Sequence, residues 1–172
     1  MKKLHLGCGR IKKEGYINCD ISEAVNPDKV VDLEAKLHFE NDSIEEIIIE
    51  HCLEHIKNLF PLMEEFYRIC KNKAIIKIKV PYFSSESAFS TMTHIMFFSL
   101  TSFDFFDEKH KNYYDAPKIN MRVIKKSLHW RRIFYPLEFL LNLNYITLRI
   151  YQELFCWIIP ARELEIWLEV RK

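Results

Sequence analysis

Glycine is nearly absent from this chain. Only 3 of its 172 residues are glycine, where average usage is about 7 %. All three, Gly7, Gly9 and Gly15, precede Tyr16. A chain that otherwise avoids glycine has set two of them either side of Cys8. The backbone there needs conformational freedom, or room for something to approach closely.

Paired cysteines are missing too. The 5 cysteines (Cys8, Cys19, Cys52, Cys70 and Cys156) are odd in number and form no C-x-x-C pair. That argues against a zinc ribbon or disulfide framework and reads as reduced thiols in a cytoplasmic protein. Neither sign of charge is in excess: the net charge is +1, which gives no basic footprint for nucleic acid and no acidic solvating tail. The ~18 consecutive apolar residues of a transmembrane segment do not occur. The richest stretch, Phe134 to Ala161, is interrupted by Glu138, Arg149, Gln152 and Glu153, so it predicts a buried amphipathic helix. Lys2 and Lys3 have no apolar stretch behind them, and Met1 is expected to be the mature start. With no repeats or Gly/Ser linkers, a single domain over residues 1–172 is expected.

What is present alternates short strands with connections. Lys3 to Gly7, Tyr16 to Ile21, Lys29 to Leu33, Glu45 to Glu50 and Ala74 to Pro81 read as strands by length and β-branched content. Lys57 to Lys71 reads as a helix, with Leu59, Leu62, Met63, Phe66, Tyr67 and Cys70 at helical spacing. Further helices are expected over His94 to Asp107 and Leu137 to Trp157. Strict alternation over Glu163 to Val170 predicts a closing strand with one buried face.

The first two connections are short. Six residues separate Gly9 from Tyr16 and seven separate Ile21 from Lys29, whereas a parallel crossover ordinarily takes about a dozen or more, with a helix. One face of the sheet has therefore lost cover. The strands agree: Leu4, Leu6, Ile76, Ile78 and Val80 share one side, and Lys3, His5, Tyr16, Asn18, Lys77 and Lys79 the other. The expected fold class is α/β: a trimmed, doubly wound, Rossmann-like sheet, mostly parallel, with an antiparallel C-terminal strand and reduced helices on one face. The polar side is expected to be partly covered by the Leu137 to Trp157 helix, with the lysine ends reaching solvent.

The strand Leu4-His5-Leu6 runs into Gly7-Cys8-Gly9, a loop whose main-chain N–H groups can reach a ligand. Asp20 ends the second strand on the carboxyl edge, where open α/β sheets bind ligands, and Asp32 ends the third. The carboxylate of Asp20 is placed to accept both hydroxyls of a ribose. Taken in order, Leu4-His5-Leu6-Gly7-Cys8-Gly9, Gly15-Tyr16-Ile17-Asn18-Cys19-Asp20-Ile21, Asp32-Leu33 and Ile47-Ile48-Ile49-Glu50-His51-Cys52-Leu53-Glu54-His55-Ile56 closely resemble the class I S-adenosylmethionine-dependent methyltransferases. Among these, the chain is similar to short methyltransferases related to the type-11 family. The resemblance covers about the first 110 residues and continues more loosely through Thr93-His94 with Phe97-Phe98 and through Ile159 to Glu165.

The resemblance implies S-adenosyl-L-methionine as cofactor. Gly7, Cys8 and Gly9 would line its methionine part, Asp20 would hold the ribose, and Asp32 and Leu33 would lie near the adenine. His51 would sit at the methyl-donor mouth, and His51 and His94 are the candidate bases. The sequence departs from the family pattern in lacking a third glycine after Gly9 and in carrying His5 where many members have Glu or Asp. A small molecule or sugar is the expected acceptor, with no nucleic-acid partner and a homodimer as one possible assembly.

Other readings of the same residues stand beside this one. His51-Cys52-Leu53-Glu54-His55 also spells H-x-x-E-H, which in metalloproteases needs two histidines one turn apart on a helix. Here a strand runs straight into His51, so no metal is expected, and Glu54 and His55 read as the approach to a helix. A nucleotide-binding oxidoreductase would want G-x-G-x-x-G, and an acid later than Asp20. A catalytically inactive binding module of the same fold is the remaining alternative.

Overall fold

The computed structural model describes residues 2–110 and 118–172. Seven strands form one sheet in the order β3-β2-β1-β4-β5-β7-β6. They are β1 (Lys2–Leu6), β2 (Ile17–Asp20), β3 (Lys29–Val30), β4 (Ile44–Glu50), β5 (Cys70–Pro81), β6 (Met121–His129) and β7 (Glu163–Val170). The pairs from β3 through β5 are parallel, and β7 runs antiparallel between β5 and β6. This bears out the mostly parallel sheet with its reversed closing strand. It also departs from the dinucleotide-binding sheet, whose order is 3-2-1-4-5-6.

One face carries the core. Leu4, Leu6, Ile47, Ile49, Ile76, Ile78 and Val80 are fully buried there, beneath the helix α1 (Leu59–Ile69). That helix starts where Asn58 accepts the Phe60 N–H and buries Leu59, Leu62, Met63, Phe66 and Ile69. It is shorter than Lys57 to Lys71 because Cys70 already opens β5.

The other face is polar and held by charge. Lys3 and Lys77 grip Glu46 at 2.9 and 2.5 Å, Lys79 pairs with Glu163 at 2.8 Å, and Lys125 pairs with Glu165 at 3.1 Å. Burial pushes the Glu46 carboxyl up, but the hydrogen bonds from Lys3 and Lys77 outweigh it and bring it down to about 2. The Lys77 and Lys79 side chains stay about one-third exposed, at 32 % and 33 %, with Lys77 and Lys125 lying over the Trp167 ring. His5 is the exception. It is buried against Asn18, whose Oδ1 also accepts the Lys13 N–H of the short β1–β2 connection.

Three expectations are corrected. The segment His94 to Asp107 is not a helix: it is irregular, with a single 3-10 turn at Asp104–Phe106. Its hydroxyls compete with the helix ladder, since the Ser99 N–H donates to the Ser102 Oγ at 2.9 Å. Phe98, Phe103 and Phe106 are core all the same, with the first two rings stacked at 5.4 Å.

The Leu137 to Trp157 helix is in fact two, α3 (Tyr135–Leu141) and α4 (Tyr145–Leu154), following the short α2 (Glu86–Phe89). Asn142 breaks it by binding the Leu128 N–H and C=O, and Asn144 caps α4 on the Thr147 N–H. Nor does α4 cover the polar face. Its Leu148 and Tyr151 join the apolar core, while Phe139, Leu140, Leu143, Ile146, Ile150 and Leu154 are exposed. Glu138 of α3 reaches the polar side through His129.

His129 lies between two carboxylates, with Nδ1 at 2.9 Å from Glu138 and Nε2 at 2.8 Å from Glu165. Both nitrogens must donate, so the ring is an imidazolium. Glu165, then Glu138, raise its pKa above 6.5, and His129 with Lys125 lowers Glu165 to about 2. The histidine's contribution is complete below its unfolded pKa and is lost as pH rises through the folded value. That of Glu165 is present above about 4.5 and lost as pH falls through about 2. Allowing for solvent screening, His129→Gln is expected to destabilise the fold by about 1 kcal/mol near pH 6 and by less near pH 9. Urea unfolding of both proteins at the two pH values checks this, and a pH-independent difference would refute it.

Candidate functional site

The carboxyl ends of β1, β2 and β4 converge on a cavity of about 400 Å³. Gly7, Asp20, Asp32, Leu33, His51 and His55 line it, together with Ile21, Val31 and Cys52. Larger clefts exist, one of about 590 Å³ between Ser85 and Arg162, but that one lies away from the glycine loop. The smaller cavity is favoured because it sits where an open parallel sheet presents its ligand edge.

Both glycines of the loop have left-handed backbone, with φ +63° at Gly7 and +51° at Gly9. A Cβ on Gly7 would meet the Cys52 Sγ at 2.7 Å, whereas one on Gly9 would meet nothing within 4 Å. Gly7 is therefore required by packing, and Gly9 leaves space open. The Gly9 N–H donates to Asp20 Oδ2 at 2.8 Å, and the Ser22 N–H to Oδ1 at 3.0 Å. A carboxylate has about four acceptor sites, so Asp20 is fixed in place and, among the described residues, two sites are still free. Asp32 lies beyond the end of the short β3, where its Oδ1 accepts the Glu34 N–H at 2.8 Å. Leu33 beside it is buried. Cys8 is buried and, like Gly9, does not itself line the cavity.

His51 also has left-handed backbone, at φ +51°, which is uncommon for a residue with a side chain. Its N–H donates to the Lys79 C=O, and its Nε2 lies 3.0 Å from Glu163 Oε1. Glu163, then Glu54, raise its pKa to about 9, while His51 and Lys79 bring Glu163 to about 2. At neutral pH His51 is thus a cation beside the cavity, suited to donating a proton or balancing charge rather than to accepting a proton. The thiols there are inert: burial pushes Cys19 up to about 11 and Cys52 up to about 12.

His94 does not line the cavity. It stands one layer back, its side chain 9 % exposed, with Nε2 4.0 Å from the Glu54 carboxylate. The Ile95 and Met96 N–H groups both donate to the Glu54 C=O, which docks this segment after β5 onto the turn after β4. Sequence reasoning missed Glu54 as a site residue. The available signal was a carboxylate between two apolar positions, Leu53 just before it and Ile56 two places on, both of which are buried. Glu163 was missed because it reads as an ordinary outward position of the closing strand.

No protein-family model matches the chain, and no curated protein matches it. Solved structures do. A SAM-dependent methyltransferase from Archaeoglobus fulgidus superposes with a TM-score of 0.68 at 18 % identity, covering 98 % of this chain and 85 % of that one. The YcgJ protein from Bacillus subtilis gives 0.61 at 12 % identity, covering 99 % and 92 %. The phosphoethanolamine N-methyltransferase 2 of Haemonchus contortus, in complex with S-adenosyl-L-methionine, gives 0.58 at 14 % identity, covering 99 % of this chain and 49 % of that one. At such identities the likeness is one of architecture: the chain has the fold of the class I S-adenosylmethionine-dependent methyltransferases.

Proposed function

We propose that the protein, acting as a single domain over residues 1–172, transfers a methyl group from S-adenosylmethionine to a small-molecule or sugar acceptor. The observation that carries this reading is the Asp20 carboxylate, pinned by the amides of Gly9 and Ser22 at the ligand edge with two acceptor positions spare. That is the arrangement a ribose diol requires. The cavity of about 400 Å³ falls within the ~300–1,000 Å³ of small-molecule sites. Val31 and Leu33 offer apolar contact for the adenine, with Asp32 between them, and the loop would lie along the methionine part, Gly7 at the cavity wall with Cys8 and Gly9 beside it.

When bound, the cofactor supplies an already activated methyl on its sulfonium. What remains for the chain is proximity and alignment. Gly7 and Gly9 keep side chains out of the loop, and Asp20 fixes the ribose. His51, charged at neutral pH, faces the cavity and can orient or balance an anionic acceptor. A proton is removed from the acceptor only where a hydroxyl or protonated amine reacts, and His94, one layer behind the cavity, could serve there only through a bridging group.

Calorimetric titration of the purified protein with S-adenosylmethionine, S-adenosylhomocysteine and NAD tests the reading. Saturable binding of the first two and none of NAD is expected. Folded protein that binds neither sulfur compound would overturn it, and binding with no transfer to a panel of hydroxyl and amine acceptors would favour an inactive binding module.

A further inference from the structure

Glu54 is a buried carboxylate. Its side chain is 2 % exposed, and among the described residues neither Oε1 nor Oε2 has a hydrogen-bond partner. The His51 cation pairs with it only at 3.7 Å from Nδ1, and His94 Nε2 stands 4.0 Å away, both too long for a hydrogen bond. One ion pair beyond hydrogen-bond length leaves the acceptor positions of this buried carboxylate unfilled, which is costly.

Two imidazoles face the same point. One ligand-capable atom from each of Glu54, His55 and His94 lies within 4.8 Å of the others, and the two rings meet edge-on with centroids 4.8 Å apart. The tautomers follow from the outer partners. His55 Nδ1 lies 3.1 Å from the Thr93 C=O, and His94 Nδ1 lies 3.1 Å from the Ala88 C=O. A carbonyl only accepts, so each Nδ1 carries the proton and each neutral ring keeps its Nε2 lone pair. Histidine ligands of metals are held in just this way, by an outer acceptor on the other nitrogen. Two donors at ~2.05 Å from one tetrahedral ion are ~3.4 Å apart, so modest side-chain rotations close the observed gaps.

We infer that Glu54, His55 and His94 form a site for one first-row divalent cation such as Zn²⁺ or Co²⁺. Two imidazoles and one carboxylate select these over Mg²⁺, which takes oxygen ligands. The sequence expects no metal, because a strand runs straight into His51 and H-x-x-E-H needs a helix to bring His51 and His55 together. The structure instead turns His51 towards Glu163 and supplies His94 from the segment after β5. The triad leaves coordination positions open, and His55 also lines the cavity. Resting on the methyl-transfer reading, the cation would bind an acceptor hydroxyl and lower its pKa, which favours oxygen acceptors.

The test uses the whole chain, stripped with chelator and dialysed. Titrated with Co²⁺, it should develop the visible absorption of a four- or five-coordinate ion at one equivalent, and Zn²⁺ should displace it. Mg²⁺ should give no displacement. His94→Ala and His55→Ala should each weaken binding by more than the roughly 10–100-fold cost of losing an outer partner. His55 is exposed, so that variant keeps the test valid if changes at Glu54 or His94 disturb folding. A folded wild-type chain that takes up no stoichiometric metal, or binding unchanged in both variants, would overturn the site. Titrating the stripped protein with S-adenosylmethionine separates the two claims: failure to bind it would remove the methyl-transfer reading and leave the cation site standing.

Discussion

Asp20→Ala is expected to weaken S-adenosylmethionine binding by about 1.5–3 kcal/mol, roughly 10- to 150-fold, the scale of hydrogen bonds to a charged group. The prediction follows from geometry as well as charge. Asp20 sits at the end of β2 with one oxygen on the Gly9 amide and the other on the Ser22 amide. Those bonds fix the carboxylate plane before any ligand arrives, so little ordering cost is left for binding. The same bonds also shape the loop, and their loss frees the Gly9 N–H. Asp20→Asn separates the two effects. Its amide retains one acceptor oxygen for Gly9 but loses the charge and half the acceptor capacity, so an intermediate loss of affinity is expected. Calorimetry on folded variants measures both, and unchanged affinity in Asp20→Ala would remove Asp20 from the site.

The sheet was legible where one rule acted alone. Strict alternation in β7 and the glycine loop after β1 needed no tertiary information. β6 was not legible, because its register shifts between Val123 and Lys125 and Lys126 then takes the core-side position opposite Ile166. That lysine is satisfied there by Asp104 and the Tyr145 ring, partners no local pattern reveals. Similarly, His94 to Asp107 carries aromatics that suit a helix or an irregular core segment alike, and the serine hydroxyls decided the matter. Of the expected site residues, Gly7, Asp20, Asp32, Leu33 and His51 line one cavity, while Cys8, Gly9 and His94 do not. The approach of His94 to Glu54 rests on two main-chain bonds between segments some forty residues apart, a tertiary fact invisible to spacing.

The two loop glycines should fail in opposite ways, which makes them the sharpest pair of substitutions in the chain. Gly7→Ala places a methyl 2.7 Å from the Cys52 Sγ and 2.9 Å from its Cβ, on backbone at φ +63°. Left-handed strain costs about 1–2 kcal/mol and overpacking about 1–3, so the fold should lose about 2–5 kcal/mol. Cys52→Ala in the same chain removes the Sγ clash but keeps the Cβ contact, and should recover part of that loss. A Cβ at Gly9 meets nothing within 4 Å, although the φ there is also left-handed, so Gly9→Val starts into open space. Its folding cost should therefore stay near the strain alone, while its side chain occupies space the ligand loop leaves open, and binding should be abolished. Urea unfolding and calorimetry on the same preparations read the two effects separately. A Gly9→Val protein that binds S-adenosylmethionine normally would show that this space does not belong to the cofactor. A Gly7→Ala protein as stable as the parent would show that Cys52 can move aside, and that the turn after β4 is softer than its packing suggests.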